Sequence, residues 1–132
     1  MHSSITRRAL ILGLSALPLT ARATDPRAQP VQLMMVTSRG CYYCAQWEQQ
    51  IGPGYAASPA GRIAPLFRVD RDGPFPDGLA LDRRPWITPT FILLKSGLEL
   101  SRIEGYVGQN HFYPVLNNVI AQAGLMPRQD PR

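Results

Sequence analysis

Cysteine is scarce in this chain: it holds two, Cys41 and Cys44, in 132 residues. Small scaffolds stapled by disulfides use more, and a bridge across so short a loop removes little unfolded-state entropy, so stapling is a poor explanation for the pair. Metal ligands are equally few. A structural zinc site takes four ligands from Cys, His or carboxylate, and beyond the leader region only His111 joins the two cysteines, far along the chain. Attachment of a c-type haem requires His directly after the second cysteine, where this sequence has Ala45. There is no internal repeat and no low-complexity tract, and the length suits one domain rather than two.

No long apolar run is present near the N-terminus either. The stretch Ala9–Leu19 falls well short of the ~20 residues a membrane-spanning helix needs. Arg7 and Arg8 precede it and Ala21-Arg22-Ala23 follows with small-x-small spacing, so residues 1–23 read as a cleavable signal peptide, with an uncleaved anchor as the weaker alternative. The arginine pair fits both the twin-arginine and the general secretory route. Export places the mature protein in a compartment where disulfides persist, the periplasm, with no stable membrane association after cleavage. Removing residues 1–23 takes away Arg7, Arg8 and Arg22 and no acid, lowering the formal charge from +5 to +2. The basic character is thus partly an export label, and no arginine cluster remains to follow a phosphate backbone, so nucleic acid is not expected as a partner.

Residues 24–30 are a polar lead-in with two prolines, and a domain is expected over 31–124, followed by a tail at 125–132. Val31–Val36 is an apolar run suited to a strand buried on both faces. After the break Thr37-Ser38-Arg39-Gly40, the spacing of Cys44, Trp47 and Ile51 predicts a helix over 42–51, stopped by Gly52-Pro53. Gly52–Gly61 reads as a loop with a helical turn around Tyr55–Ala60. Leu66–Asp70 is the second strand, and a short helix is expected near Gly78–Arg84, ended by Pro85. Pro89–Lys95 and Leu98–Glu104 form a hairpin about Ser96-Gly97, with an alternation that slips between Leu100 and Ile103, the mark of a bulge or an edge position. Phe112, Val115, Leu116, Val119, Ile120 and Ala123 make one apolar stripe of a final helix that Gly124 ends, with Pro114 placed in its first turn or so. The fold class is α/β: a mixed four-stranded sheet made of a βαβ unit and a ββα unit, with helices on both faces.

The chemistry lies in Cys41-Tyr42-Tyr43-Cys44, where a buried strand ends and a helix begins. A helix N-terminus presents unpaired N–H groups and a partial positive charge, which favour the thiolate that performs thiol–disulfide exchange. Cys41 is therefore expected to attack, and Cys44, one turn on and less exposed, to resolve the mixed disulfide. Arg39 either adds positive potential at the rim or is a solvated arginine without effect.

Together with Thr88-Pro89-Thr90 at the start of a later strand, this pattern resembles the thioredoxin-like superfamily. The resemblance implies that Pro89 is cis and faces the cysteine pair, with Thr88 offering backbone groups to an extended client segment. It further implies that Tyr42, Tyr43 and Tyr106 take part in substrate binding. Met35 stands where many of these proteins carry a buried acid. The segments Arg39–Trp47, Thr88–Phe91 and Arg102–Tyr106 look most like short periplasmic members associated with bacterial sulfur oxidation, which keep client thiols reduced.

The expectation is a monomeric thiol–disulfide oxidoreductase that uses no metal and no other cofactor. Its partners would be client proteins bearing disulfides or thiols and a membrane thiol-electron donor. A disulfide oxidase or isomerase, a non-catalytic peptide-binding module and a redox-regulatory protein share every residue named. Trp47 is expected to pack in the core or at the rim, and His111 to lie in solvent.

Overall fold

The computed structural model describes residues 30–126 and, in isolation, Gly13. Apart from Gly13, the leader expected at 1–23, nearly all of the expected lead-in and the tail beyond Met126 lie outside the described residues. The elements are β1 (Val31–Thr37), α1 (Tyr42–Gln50), two short helices α2 (Gly52–Tyr55) and α3 (Pro59–Ile63), β2 (Leu66–Asp70), β3 (Thr90–Lys95), β4 (Leu98–Glu104) and α4 (Gln109–Gln122). The sheet order is β2-β1-β3-β4, with β1 parallel to β2 and the other pairs antiparallel. This is the mixed four-stranded sheet of a thioredoxin-like fold.

Central position explains the apolar run of β1, whose residues from Gln32 to Val36 are all buried. Its side chains alternate between two cores. Leu33 and Met35 join Phe91 and Leu93 beneath the helices, with Trp47, Tyr55, Phe112, Leu116 and Ile120 packed against them. Met34 and Val36 join Ile92, Leu94 and Val69 on the opposite face, where Phe67, Phe75, Leu79 and Leu81 cover them. All four helices contribute to the first core, so among the described residues the helices expected on both faces lie on one. The second core is closed by the irregular stretch between β2 and β3, whose backbone is drawn into pairing with the hairpin.

That stretch corrects the short helix expected at Gly78–Arg84, which is absent. Gly78 takes φ +81°, and Ala80 is drawn into parallel pairing with the end of the hairpin: its N–H donates to the Gly97 carbonyl at 2.8 Å and its carbonyl accepts from Glu99 N–H at 3.0 Å. Backbone groups engaged with another strand cannot close a helical turn.

The loop expected at Gly52–Gly61 is likewise more ordered than the glycine and proline content suggests. Pro53 and Pro59 both occupy the first helical turn, where a missing N–H is harmless, and Ser58 caps α3 through Gly61 N–H at 3.0 Å. The anchor is Tyr55, buried with its hydroxyl donating to the Ala64 carbonyl at 2.7 Å. Pro114 also lies deeper than expected, in the second turn of α4 and exposed, where its ring faces solvent.

The slip in β4 is a bulge on an edge strand. Leu93 opposes Ser101 and Leu94 opposes Glu99, leaving Leu100 unpaired. The extra residue brings Glu99 and Arg102 onto one face three positions apart, which regular alternation forbids. Their side chains, 1% and 7% exposed, form a two-pronged ion pair at 2.5 and 2.8 Å. Glu99 also accepts from Asp82 N–H at 2.8 Å, and Arg102 donates to the Arg83 carbonyl at 2.8 Å, so the pair pins the irregular stretch to the sheet.

Candidate active site

β1 delivers the chain to a turn that reverses into α1. Gly40, at φ +73°, makes the turn, and Cys41 follows in extended conformation as the N-cap of α1. A side chain at the N-cap accepts from the first free N–H groups of the helix, and here the acceptor is sulfur: Cys44 N–H donates to Cys41 Sγ at 3.1 Å. The Cys41 sulfur therefore sits where a negative charge meets both a donor and the positive end of the helix. Cys41 is half-buried and Cys44 is 4% exposed. The two form a disulfide with Cα atoms 5.2 Å apart. Of the two sulfurs, only that of Cys41 offers appreciable surface for in-line attack by or on another thiol.

Two further loops meet beside this turn. The Thr88–Pro89 bond is cis, and Thr88 Oγ1 lies 2.9 Å from Ser38 Oγ in the turn preceding Cys41. Thr90 Oγ1 donates to the Ile87 carbonyl at 2.5 Å, and Gly105 N–H donates to the Pro89 carbonyl at 2.7 Å, which fastens the β4–α4 connection to the proline. Thr88 is half-buried and Pro89 buried. A shallow groove of about 450 Å³ runs along the cysteines, lined by Thr37, Ser38, Cys41, Tyr42, Cys44 and Glu48 among others.

The remaining residues singled out from the sequence are spread more widely. Tyr42 and Tyr43 are both exposed and meet edge to face at 5.3 Å, with Gln46 Nε2 donating to the Tyr42 hydroxyl at 2.9 Å. Arg39 is exposed and makes no ion pair among the described residues. Tyr106 is half-buried, its ring on Phe112 at 6.3 Å, and its hydroxyl donates to Gln50 Oε1 at 2.6 Å. That contact turns the phenol toward the last residue of α1, at the opposite end of the helix from Cys41. Burial pushes its pKa up. Trp47 is fully buried among Phe91, Phe112 and Tyr55, and His111 is exposed at the start of α4.

Met35 is fully buried in the same core as Cys44 and supplies no proton. The carboxylate that shares the groove with Cys44 is that of Glu48, one turn on in α1, paired with Arg68 at 2.5 and 2.8 Å. Its i+4 spacing from Cys44 was the available signal for it in the sequence. Trp86 and Ile87, just ahead of the cis proline, are exposed and were not singled out from the sequence, where they fall between the helix expected at Gly78–Arg84 and the strand expected from Pro89.

The chain matches no family model and no curated protein. Among solved structures it is similar to the periplasmic thioredoxin SoxS from Paracoccus pantotrophus, in reduced form, at 42% identity and a TM-score of 0.69, over 70% of this chain and 98% of that one. The chain belongs to the thioredoxin-like superfamily. A thioredoxin from Thermus thermophilus is also similar, at 26% identity and a TM-score of 0.50, over 71% of this chain and 76% of that one. With its disulfide at the head of α1, this thioredoxin-like protein is a thiol–disulfide oxidoreductase. Among the described residues no helix is long and apolar enough to cross a membrane.

Proposed function

We propose that this protein is a periplasmic thiol–disulfide reductase. In the reduced state the Cys41 thiolate attacks one sulfur of a client disulfide. A bond forms between Cys41 and the client, the client's own S–S bond breaks, and the other client sulfur leaves as a thiolate that takes a proton from solvent. Cys44 then attacks Cys41 Sγ, releasing the client's second thiol and closing the Cys41–Cys44 disulfide. Two electrons have passed to the client. A dithiol donor, expected in the membrane, restores the pair, because an oxidising compartment offers no soluble reductant.

The observation that carries the reading is the contrast between the two sulfurs: Cys41 half-exposed as the N-cap and accepting a backbone N–H, Cys44 buried behind it. The direction, reductase rather than oxidase, is supported by what surrounds Cys41. An oxidising pair owes its potential to strong stabilisation of the thiolate. Here the residues between the cysteines are Tyr42 and Tyr43, neither of them cationic, and Arg39 projects into solvent. The leader at residues 1–23 and the likeness to a periplasmic thioredoxin support the compartment. Sulfur-carrier proteins are the client class to which the resemblance points.

The test is the reduction potential together with insulin reduction. A potential near the thioredoxin value of about −270 mV with insulin turnover supports a reductase, and one near about −120 mV refutes it in favour of an oxidase. Client capture with Cys44→Ala names the partners, because an unresolved mixed disulfide accumulates.

A further inference from the structure

Trp86 has the highest accessibility of the exposed large apolar side chains, 74%, and its neighbour Ile87 is 47% accessible. Neither belongs to either core. The indole is nevertheless held in place: the Arg71 guanidinium lies over its ring at 5.4 Å and reaches the Trp86 carbonyl at 3.5 Å. An exposed aromatic side chain that the fold does not bury carries a solvation cost, and such residues are enriched as anchors in protein interfaces. The position is not arbitrary. Ile87 directly precedes cis Thr88–Pro89, and Thr88 touches the cysteine turn through Ser38. The exposed pair is therefore continuous in the chain with the edge that faces the redox centre.

The guanidinium groups beside it are poorly matched by carboxylates. Arg84, two residues before Trp86, has no carboxylate partner among the described residues; it lies over Phe75 at 5.8 Å and donates to the Arg71 carbonyl at 3.4 Å. The nearest carboxylate to Arg71 is that of Asp72, at 4.0 Å. Desolvating such guanidinium groups against an apolar partner alone is unfavourable, whereas a carboxylate on the partner offsets it.

We propose that Trp86 and Ile87 form a second docking point for clients, selecting an extended segment with a bulky apolar side chain beside a carboxylate, two or three residues from its reactive cysteine. The spacing follows from chain reach: Trp86 lies two residues before Thr88 in a stretch that bends at Ile87 and Thr88, and two residues span at most about 7 Å, so the client side chain that meets Trp86 lies within two or three residues of the one opposite Thr88. The inference rests on the oxidoreductase reading and adds to it the sequence around the client's cysteine.

The test uses the full chain in reduced form and three synthetic peptides whose single cysteine is activated as a disulfide with thionitrobenzoate. Two residues from the cysteine they carry Leu-Glu, Leu-Lys or Ser-Ser. Release of the coloured thiol is followed in single turnovers at rising peptide concentration, because each molecule is oxidised to its disulfide after one, and the limiting rate and half-saturating concentration serve as kcat and KM. The expected result is a KM about tenfold lower for Leu-Glu than for Ser-Ser, equivalent to about 1.4 kcal/mol, with Leu-Lys between them. Trp86→Ala should remove the difference, Trp86→Phe should keep most of it, and the reduction potential should stay that of the wild type. In Cys44→Ser, which holds the peptide as a mixed disulfide, acrylamide quenching of indole fluorescence reports Trp86, because Trp47 is fully buried. Bound Leu-Glu peptide should shield it.

Equal loss for all three peptides in Trp86→Ala, a shifted potential, or an indole still open to acrylamide in the mixed disulfide would each overturn the docking role. Equal KM values for Leu-Glu and Leu-Lys would overturn its charge preference. If no mixed disulfide forms at all, the oxidoreductase reading itself falls.

Discussion

The hydroxyls of Ser38 and Thr88 meet at 2.9 Å although fifty positions separate them, and through them the turn that carries Cys41 is fastened to the residue before the cis proline. Removing one partner of a half-buried hydrogen bond costs about 1 kcal/mol. Ser38→Ala is expected to lower the urea midpoint accordingly and to slow mixed-disulfide formation, since the turn carrying Cys41 and the Pro89 loop are no longer held in register. A cycle with Thr88→Val checks the link. If the two substitutions add within about 0.3 kcal/mol, the contact does not couple the loops.

Glu99 gives the expected dependence on pH. Burial works against its charge, but the hydrogen bonds from Arg102 and from Asp82 N–H, with the charges of Arg102 and Arg83, outweigh burial and hold the carboxyl below the usual carboxylate range. A folded-state pKa below the unfolded one, about 4.3 for Glu, means that the stabilisation is complete above that value and is lost as the pH falls through the folded one. Wild-type stability should therefore decline on acidification below about pH 5, and Glu99→Gln should flatten that decline. Glu99→Ala strands the Arg102 guanidinium and should cost about 3 kcal/mol at neutral pH. An acid titration of the urea midpoint for the three proteins decides the matter.

Gly40→Ala tests the turn without touching the sulfurs. A methyl group at this position meets nothing within 4 Å, so the penalty is purely that of holding an L-residue at φ +73°, about 1–2 kcal/mol. Gly40→Asn, whose side chain tolerates this conformation, should recover part of the loss in thermal unfolding. Equal losses for Ala and Asn would mean that the backbone there is not the constraint.

Gly97 offers the contrasting case. Its φ is +81°, and an added Cβ would stand 2.2 Å from the Gly78 carbonyl oxygen, a backbone atom that cannot step aside. Gly97→Ala should cost clearly more than Gly40→Ala and should loosen the Ala80 pairing with it. Faster amide exchange at Ala80 and Glu99 is the expected signature.

Much of this fold was legible because its signals are local. β2 and β4 occupy the residues read from alternation, the Ser96-Gly97 turn has positive φ at both positions as a tight hairpin requires, and the last helix buries Phe112, Leu116 and Ile120 from the expected stripe. The cysteine pair was legible for the same reason, since its place between a buried strand and a helix start is written within a few residues. What escaped depends on distant partners. The segment around Ala80 has a helix-compatible composition, and only its pairing with Gly97 and Glu99 decides otherwise. The slip at Leu100 was visible, but its purpose, bringing an acid and an arginine together beneath another loop, was not. Tyr106 lies in the loop expected, with a hydroxyl committed to Gln50 that no motif announces.

One consequence follows from the stretch that shields the lower side of the sheet. It leaves β2, is pinned by Glu99 and Arg102, and runs directly into Trp86 and the cis proline. The awning over Met34, Ile92 and Leu94 and the approach to the cis proline are thus a single length of chain. Loosening its moorings at β4 would both wet the hydrophobic underside and blur the alignment of the Pro89 edge, so changes made far from either sulfur should register in redox turnover as well as in resistance to unfolding.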